Sequence, residues 1–346
     1  MKYTTLGKTD IRVSKICLGT MTFGEQNTEA EGHEQLDYAI EQGVNFVDTA
    51  EMYSVPGSKE TQGSTERIIG TWMQARKNRE DLVLATKVTG PSKGLSYIRN
   101  VPNFSKEHIL EAMDGSLERL QTDYVDLYQL HWPERQTNFF GQVEYNHNPN
   151  DQWEDNLESV LETMSSLVKS GKVRQIGISN ETPWGMHRYL HLAEKHGFSR
   201  IVSNQNPYSL LNRSYEVGLA EMSIREDVGL LAYSPLAMGA LSGKYLNGAR
   251  PAEGRLVKFP AFSRYLNEYG LEATAKYKEL ADRLNLTLPQ LALAFVTDRP
   301  FVTTNIIGAT SMDQLRDNLS SASVELSDET LKEINRIHRA CPNPAP

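Results

Sequence analysis

The chain has 346 residues, too long for one small module, and suits either two ordinary domains or one large α/β barrel. Its 36 Lys and Arg against 44 Asp and Glu give a net charge of −8, which argues against nucleic acid or an anionic membrane as the main partner. No apolar run is long enough to span a membrane, and no secretory signal is expected. Two distant cysteines, Cys17 and Cys341, indicate no disulfide framework and fit a reducing cytoplasm.

The chain begins with two short strand-like segments and then alternates between strands and helices. Lys2–Thr5 and Arg12–Ser14, joined by a Gly-Lys-Thr-Asp turn, predict a β-hairpin. Eight short apolar runs follow, at Ile16–Leu18, Val44–Val47, Leu82–Ala85, Tyr124–Leu130, Val173–Ile178, Arg200–Val202, Leu230–Ala232 and Asn305–Ile307. Apolar residues at helical spacing lie between them, most clearly over Glu29–Gln42, Thr65–Ala75, Lys106–Leu120, Glu154–Ser170, Pro183–His196 and Tyr215–Asp227.

Eight strands alternating with helices predict an α/β protein built as a (β/α)8 TIM barrel, with an N-terminal β-hairpin and extended βα loops. A doubly wound sheet is the alternative, but that fold usually shows a G-x-G-x-x-G motif after its first strand, and none is present. The chain contains no linker-like tract, so we expect residues 1–346 to form a single domain.

Three long connections follow predicted strands, at 89–104, 132–153 and 235–268. In a barrel they lie on the face that carries the active site, and loops of this length are usually functional. The connection 132–153 is rich in Asn and aromatic residues, a composition suited to a substrate cap. Its Phe139, Phe140 and Tyr145 are expected to line an apolar part of the pocket.

Ionisable residues stand at the carboxyl ends of three apolar strands. Asp48, Lys87 and His131 each follow such a strand, and in a parallel barrel all three ends face one cavity. Taken singly, Asp48 suits a turn, Lys87 a solvated strand end and His131 a hydrogen-bonded core position. Their shared register favours a proton-handling site. The other strand ends carry Gly19, Thr20, Ser179, Asn180, Gln205, Tyr233, Ser234 and Gly308.

Several motifs in order resemble the aldo-keto reductase family. They are GVNFVDTAEMY (43–53), TK (86–87), DLYQLHWP (126–133), IGISN (176–180), QNPYSLLNR (205–213), AYSPLAMGALSGKY (232–245) and GATSMDQLRDN (308–318). Within that family the sequence resembles the bacterial Tas-type reductases and, more distantly, the potassium-channel β subunits. The resemblance implies a (β/α)8 barrel with an extended NADPH lying across its rim.

The resemblance also implies a catalytic tetrad of Asp48, Tyr53, Lys87 and His131. Tyr53 would supply a proton to the carbonyl oxygen while the cofactor supplies a hydride to carbon. Lys87, held by Asp48, would favour the phenolate and so make Tyr53 a better proton donor. His131 would orient the carbonyl oxygen and stabilise its developing charge. The substrate would lie against Tyr53, His131, Met52 and Trp132.

The family's cofactor residues carry over in the same way. Ser179, Asn180 and Gln205 would bind the nicotinamide carboxamide, and Tyr233 would stack on the ring. The small residues and the charge of the 234–244 loop would cover the pyrophosphate, and the start of the last barrel helix would bind the adenosine end. The full set is Gly19, Thr20, Asp48, Ser179, Asn180, Gln205, Tyr233, Ser234, Pro235, Leu236, Gly239, Ser242, Lys244, Arg255, Gly308, Ser311, Gln314 and Asn318.

The expected cofactor is NADP(H), although the last motif departs from the commonest family pattern. Many members carry basic residues there to bind the 2′-phosphate, whereas Gln314 stands here and Arg316 lies nearby. The channel β-subunit branch shows a similar pattern and is associated with NADP.

The expected function is reduction of a small-molecule aldehyde or ketone to an alcohol in the cytoplasm. A regulatory protein that keeps the cofactor as a redox-sensing ligand is one alternative, and a barrel aldolase with Lys87 as Schiff-base nucleophile is another. We expect no metal, because His131 lacks partners at ligand spacing. The sequence leaves open the physiological substrate and the formation of a homo-oligomer.

Overall fold

A parallel eight-stranded barrel forms the centre of the computed structural model, which describes residues 1–346. Two short strands, β1 (Tyr3–Thr5) and β2 (Arg12–Ser14), form an antiparallel hairpin before it. The barrel strands are β3 (Ile16–Gly19), β4 (Phe46–Asp48), β5 (Val83–Val88), β6 (Val125–Leu130), β7 (Val173–Ser179), β8 (Ile201–Pro207), β9 (Gly229–Tyr233) and β10 (Val302–Ile307). They pair in chain order, and β10 closes on β3. The predicted fold and its N-terminal hairpin are confirmed.

Helices surround the barrel. They are α1 (Glu29–Glu41), α2 (Ser64–Arg76), α3 (Lys106–Leu120), α4 (Leu157–Lys169), α5 (Pro183–His196), α6 (Leu219–Glu226), α7 (Arg255–Lys258), α8 (Glu268–Arg283), α9 (Leu288–Thr297), α10 (Met312–Ser320) and α11 (Asp328–Ala340). Local sequence fixes several of the starts. Thr28 and Glu31 form a capping box on α1, and Thr287 and Gln290 form one on α9.

The barrel interior has an apolar lower half, which the hairpin closes. Leu6, Ile11 and Val13 come from the hairpin segment and are at most 3% exposed. They pack with inward-facing strand residues in a cluster that also contains Cys17, Phe46, Val83, Ala85, Leu127, Val202, Leu231 and Ile306. A larger core of 68 buried residues fills the space outside this cluster, between strands and helices. The carboxyl-terminal half of the interior is therefore the part left for polar groups.

Two helical regions differ from the sequence-based expectation. The segment predicted as one helix over Tyr215–Asp227 divides at Gly218 into a 3-10 turn (Ser214–Val217) and α6, because the backbone of Gly218 is not helical (φ −143°). The long connection 235–268 contains 3-10 turns and the short α7. None of the helices combines the length and the apolar character that crossing a membrane requires.

Candidate active site

Alternation along the strands brings charged side chains to the upper end of the barrel interior. On β5, Val83 and Ala85 belong to the apolar interior cluster, so Lys87 is the next inward-facing residue. On β4, Phe46 is in that cluster, and Asp48, two residues further along the strand, faces the same side. Asp48 is 3% exposed and Lys87 is fully buried. Two opposite charges thus meet just above the apolar half.

Asp48 and Lys87 form a buried ion pair. The Lys87 Nζ donates to Asp48 Oδ2 at 2.6 Å and to the Thr49 carbonyl at 2.8 Å. Burial lowers the pKa of Lys87, but the neighbouring Asp48 and Tyr53 more than offset it, so the net shift is upward. Lys87 is therefore an ammonium group at neutral pH, as a buried charge must be when it is paired and hydrogen-bonded.

Tyr53 lies beside this pair, at the end of the segment that follows β4. The Lys87 Nζ is 5.0 Å from the centre of the Tyr53 ring. The ring is partly exposed at the rim, yet burial raises the pKa of the Tyr53 hydroxyl, and Lys87 only partly offsets this. The net direction is thus upward, although the ammonium alone lowers the pKa. The physical reason is that desolvation of a phenolate here outweighs the attraction of the ammonium.

His131 completes the group. Its ring meets the Tyr53 ring edge-on, with centroids 5.7 Å apart, and it is 7% exposed. Burial, together with the nearby Lys87 charge, lowers the pKa of His131 well below its ordinary value. The imidazole is therefore neutral at physiological pH. The structure thus brings together all four residues proposed as a tetrad, namely Asp48, Tyr53, Lys87 and His131.

The residues expected at a nicotinamide lie on the neighbouring strand ends and bind one another. Tyr233 donates its hydroxyl to Asn180 Oδ1 at 2.7 Å. Asn180 Nδ2 donates to the His131 carbonyl at 2.9 Å and to Ser179 Oγ at 3.1 Å. Ser179 Oγ in turn donates to the Gln205 carbonyl at 2.8 Å. These contacts link Ser179, Asn180, Gln205 and Tyr233 into a hydrogen-bonded shelf beside His131.

Gly19, Thr20 and Gly308 lie where β3 and β10 end. Thr20 is fully buried, and its hydroxyl donates to the Asp48 carbonyl at 2.8 Å. A Cβ on Gly19 would come within 2.7 Å of Ile306 Cγ2, so the close approach of β10 requires glycine there. The hydroxyl hydrogen of Thr20 is therefore already used in a bond to the Asp48 backbone and is not available to donate to a ligand.

The loop after β9 has an unusual backbone and carries a concentration of positive charge. Ser234, Ala237 and Met238 have φ values of 53°, 49° and 54°, in the region that non-glycine residues rarely adopt. Successive residues of this kind turn their N–H groups toward one side and form anion-binding concavities. Gly239 and Gly243 also have positive φ, 97° and 80°. The loop therefore suits a phosphate group.

Two cations reach this loop without forming a salt bridge to a carboxylate. Arg255 contacts the sulfur atoms of Met21 and Met238, each at 3.8 Å, and Gln26 Oε1 at 3.4 Å. Burial lowers the pKa of the Arg255 guanidinium, because no carboxylate at close range compensates for the loss of water. The Lys244 Nζ lies 3.5 Å from where a Cβ on Gly239 would stand. A half-buried guanidinium with such weak partners is suited to receiving an anion.

The start of α10 brings the remaining expected residues together. Ser311 caps the helix and accepts from the Gln314 N–H, while Gln314 Oε1 accepts from the Thr310 N–H at 3.1 Å. Asn318 Nδ2 donates to the Gly308 carbonyl at 3.1 Å. The side chains that were expected to bind an adenosine group thus also hold their own turn.

Arg316 points away from this turn. It pairs with Asp313 at 3.1 Å and lies over the Tyr38 ring of α1, 5.6 Å from its centre. The helical spacing therefore directs its charge toward α1.

Aromatic side chains extend from His131 along the side of the rim formed by the 89–104 and 132–153 connections. Trp132 lies 4.8 Å from His131 and 5.8 Å from Phe140, between ring centroids. Trp132 Nε1 donates to the Pro91 carbonyl, and a Cβ on Gly90 would come within 2.4 Å of that nitrogen. Phe139 packs on Phe140 at 5.0 Å. The two long loops therefore meet at this wall.

Tyr145 and Met52 have different surroundings. Tyr145 is 64% exposed and faces His147, so the structure does not bring it to the aromatic wall. Met52 is half-buried beside Tyr53, with its methyl group 3.8 Å from where a Cβ on Gly57 would lie.

Two buried ion pairs at the rim were missed in the sequence. Arg99 donates to Glu51 Oε1 at 2.9 Å and ties the 89–104 connection to the segment before Tyr53. Arg135 binds Glu181 through both terminal nitrogens and lies 4.7 Å from the Trp184 ring. The only sequence signal was that Glu51 and Glu181 each follow closely after a predicted strand end. Their arginine partners lie 48 and 46 residues away along the chain, and such distant pairs cannot be matched from sequence.

Gln129 was also missed. It is fully buried on β6, two residues after the inward-facing Leu127, and donates to Asp48 Oδ1 at 3.2 Å. A polar residue inside the apolar run DLYQLH was the signal. Elsewhere, no group of three or more His, Cys, Asp or Glu side chains is arranged to hold a metal ion.

Comparison with known proteins shows the family of the chain. The model of the Aldo/keto reductase family matches residues 15–339. Protein tas of Escherichia coli (strain K12) is 51% identical over the full length of both chains. The uncharacterized oxidoreductase YrpG of Bacillus subtilis (strain 168) is 35% identical, over 97% of this chain and 96% of the YrpG chain. An aldo-keto reductase of Babesia bovis is 40% identical, over 74% of this chain and 95% of the Babesia chain. The chain belongs to the Aldo/keto reductase family.

Proposed function

We propose that this oxidoreductase uses NADP(H) to reduce small aldehydes or ketones to alcohols in the cytoplasm, with Tyr53 as the proton donor. One observation carries the proposal. A phenol, an ammonium group and a neutral imidazole converge at one point of the rim, where Lys87 Nζ is 5.0 Å from the centre of the Tyr53 ring and the His131 ring is 5.7 Å from it.

Tyr53 is suited to holding a proton until a carbonyl oxygen needs it. Because its pKa is raised, the phenol stays protonated at neutral pH. The Lys87 ammonium lies close enough to stabilise the phenolate that remains after the proton has left. Asp48 holds that ammonium in place at 2.6 Å. In the direction of alcohol oxidation, the same phenolate would accept the proton.

His131 would bind the carbonyl oxygen as a neutral donor. Its lowered pKa keeps a second positive charge away from Lys87, and a neutral imidazole has one N–H to donate. An N–H aimed at the oxygen stabilises the negative charge that develops there. Trp132 and Phe140 would shield this point from water, because their rings cover the adjacent side of the rim.

The residues present fit a nicotinamide dinucleotide, and NADPH when bound would supply the hydride. The shelf of Ser179, Asn180 and Tyr233 offers a flat polar edge beside His131. At the other end, the positive-φ loop and Arg255, which forms no salt bridge, suit phosphate groups. With Lys244 assigned to the pyrophosphate, Arg255 outside the 234–244 loop would be left for the additional phosphate of NADPH, which supports NADP(H) over NAD(H).

A titration and a turnover assay test the proposal together. Nicotinamide fluorescence would be followed as NADPH or NADH is added, and an aldehyde panel would then be monitored by absorbance of the reduced ring. We expect tighter binding of NADPH and steady turnover. Arg255→Met should weaken NADPH binding more than NADH binding. Cofactor that binds permanently and reacts only once would favour a regulatory protein and contradict the proposal.

A further inference from the structure

We infer that Gln129 is a positioning residue that fixes the amide of Gln205, so that the Gln205 oxygen faces the cofactor site as a hydrogen-bond acceptor. The inference rests on the proposed function, because it concerns how the same site receives a carboxamide. Gln129 lies below the rim, and acts through Gln205 and Asp48.

Three buried side chains form a closed hydrogen-bonded triangle. Gln129 Nε2 donates to Asp48 Oδ1 at 3.2 Å. Gln205 Nε2 donates to the same oxygen at 2.9 Å and to Gln129 Oε1 at 3.2 Å. All three residues are at most 3% exposed. The other oxygen of Asp48 accepts from Lys87, so the triangle shares a carboxylate with the ion pair.

The triangle permits one orientation of each amide. A primary amide has two N–H donors on nitrogen and accepts only through oxygen. Turning Gln205 around would place its oxygen against the Asp48 carboxylate and Gln129 Oε1, two acceptors that cannot donate to it. Turning Gln129 around would likewise set its oxygen against Asp48. An unsatisfied buried polar contact of this kind is costly, so the network selects the observed arrangement.

The consequence is that Gln205 presents an acceptor upward. Both of its N–H groups are used in the triangle, which leaves Oε1 as its only free polar atom. Asn180 likewise has no free N–H, because its Nδ2 donates to the His131 carbonyl and to Ser179 Oγ, and its Oδ1 already accepts from Tyr233. The group that Gln205 receives must therefore be a hydrogen-bond donor, as the NH2 of a carboxamide is.

Gln129→Met tests the inference by removing both hydrogen bonds with little change in side-chain length. The Gln205 amide then keeps Asp48 as its only fixed partner and is held less tightly, because its second N–H has lost its acceptor. We expect the dissociation constant for NADPH to rise about tenfold, the effect of roughly one hydrogen bond. At saturating NADPH, turnover should fall less than this.

Gln129→Glu separates the two functions of the side chain. Glutamate retains an acceptor for Gln205 but loses the donor to Asp48 and adds a second carboxylate. Two carboxylates at this distance raise the pKa of one of them. Turnover should therefore acquire a pH dependence on the acidic side that the wild type lacks. A residue that only supported the fold would not create this change.

Asn305→Leu is the matched control. Asn305 is a fully buried amide on β10 that donates to the Leu293 carbonyl and Thr297 Oγ1, away from Asp48. The Asn305→Leu substitution should lower thermal stability but leave the NADPH dissociation constant unchanged.

Three results overturn or redirect the inference. Folded Gln129→Met or Gln129→Glu protein with wild-type NADPH affinity and a wild-type pH profile would overturn it. An equal loss of affinity in Asn305→Leu would also overturn it, because the effect would then be general. A wild-type protein that neither binds NADPH nor reduces any carbonyl would instead refute the proposed function.

Discussion

The lower and upper halves of the barrel interior are formed by the same strands but filled by opposite kinds of side chain. On β5 the inward residues change from Ala85 below to Lys87 above, and on β6 from Leu127 to Gln129. The lower half is mainly apolar and is closed by Leu6 from the hairpin. Moving up a strand by two residues thus changes the inward side chain from an apolar one to a charged or polar one.

The two halves are also stabilised differently. The lower half gains from removing apolar surface from water, which is non-directional. The upper half contains buried charges, and each is tolerated only because a partner at close range offsets its desolvation, as Lys87 does for Asp48. Substitutions below should therefore affect folding alone, whereas substitutions above should affect chemistry as well. The following predictions test this division, from the largest expected effect to the smallest.

Lys87→Met should affect both properties. It leaves the Asp48 carboxylate buried without its cation, which typically costs about 3–5 kcal/mol of stability. It also removes the charge proposed to stabilise the Tyr53 phenolate, so kcat should fall by about 10²- to 10⁴-fold. Chemical denaturation and aldehyde turnover measure the two effects. A variant that is destabilised but retains kcat would place the chemistry elsewhere.

Arg99→Met should destabilise the rim without touching the proposed tetrad. It leaves Glu51, which is 1% exposed at its side chain, without its cation, so the expected cost is about 3–5 kcal/mol. The matched control is Arg76→Met, because its pair with Asp37 is about half exposed and should contribute at most about 1 kcal/mol. Equal losses in the two variants, measured by urea unfolding, would contradict the distinction.

Leu127→Ala tests the lower half directly. Removing a fully buried leucine typically costs about 2–5 kcal/mol. Because Leu127 belongs to the apolar cluster below the charged groups, the folded fraction should keep the wild-type kcat and the wild-type affinity for NADPH. Thermal unfolding and turnover well below the melting temperature would be compared. A drop in kcat at a temperature where the variant is fully folded would show that the halves are coupled.

The pH profile of carbonyl reduction should be nearly flat over the neutral range. Because the pKa of Tyr53 is raised, its hydroxyl loses the proton only as pH rises through that raised value. Because the pKa of His131 is lowered, its ring gains a proton only as pH falls well below the ordinary pKa of histidine. Between about pH 6.5 and pH 10 neither group changes its protonation. A clear inflection of kcat/KM near pH 7–8 would contradict these directions.

The lowered pKa of His131 should also make the free energy of unfolding depend on pH. As pH falls below about 6.5, the unfolded chain takes up a proton on this histidine that the folded chain does not. The free energy of unfolding should therefore decrease in that range, and His131→Gln should reduce the decrease.

The strand positions and the converging residues were predictable because they depend on local patterns. Apolar runs ended by Asp48, Lys87 and His131 identify strand ends, and a parallel barrel brings all such ends to one rim. The boundary of the helix predicted over Tyr215–Asp227 was missed because its pattern continues through Gly218, where the backbone departs from the helix. Gly218 lies against Pro183 of α5, a contact that the local pattern does not reveal.

The pairings within the site could not be predicted. Gln129, Asp48 and Gln205 are separated by up to 157 residues, and only the closed barrel shows that their amides satisfy one another. The direction of the Tyr53 pKa shift was also inaccessible, because it depends on the balance between burial and the Lys87 charge. Sequence identifies the residues that stand at the strand ends, whereas the structure is needed to show how they pair and which of two competing effects prevails at one atom.

The most direct test of the account is single-turnover oxidation of bound NADPH by an aldehyde in Tyr53→Phe, compared with wild type by stopped-flow. Phenylalanine keeps the ring that packs on His131 but has no proton to give. We predict an unchanged NADPH dissociation constant and a rate of NADPH consumption at least about 10²-fold lower. A rate equal to that of the wild type would contradict the assignment of Tyr53 as the proton donor.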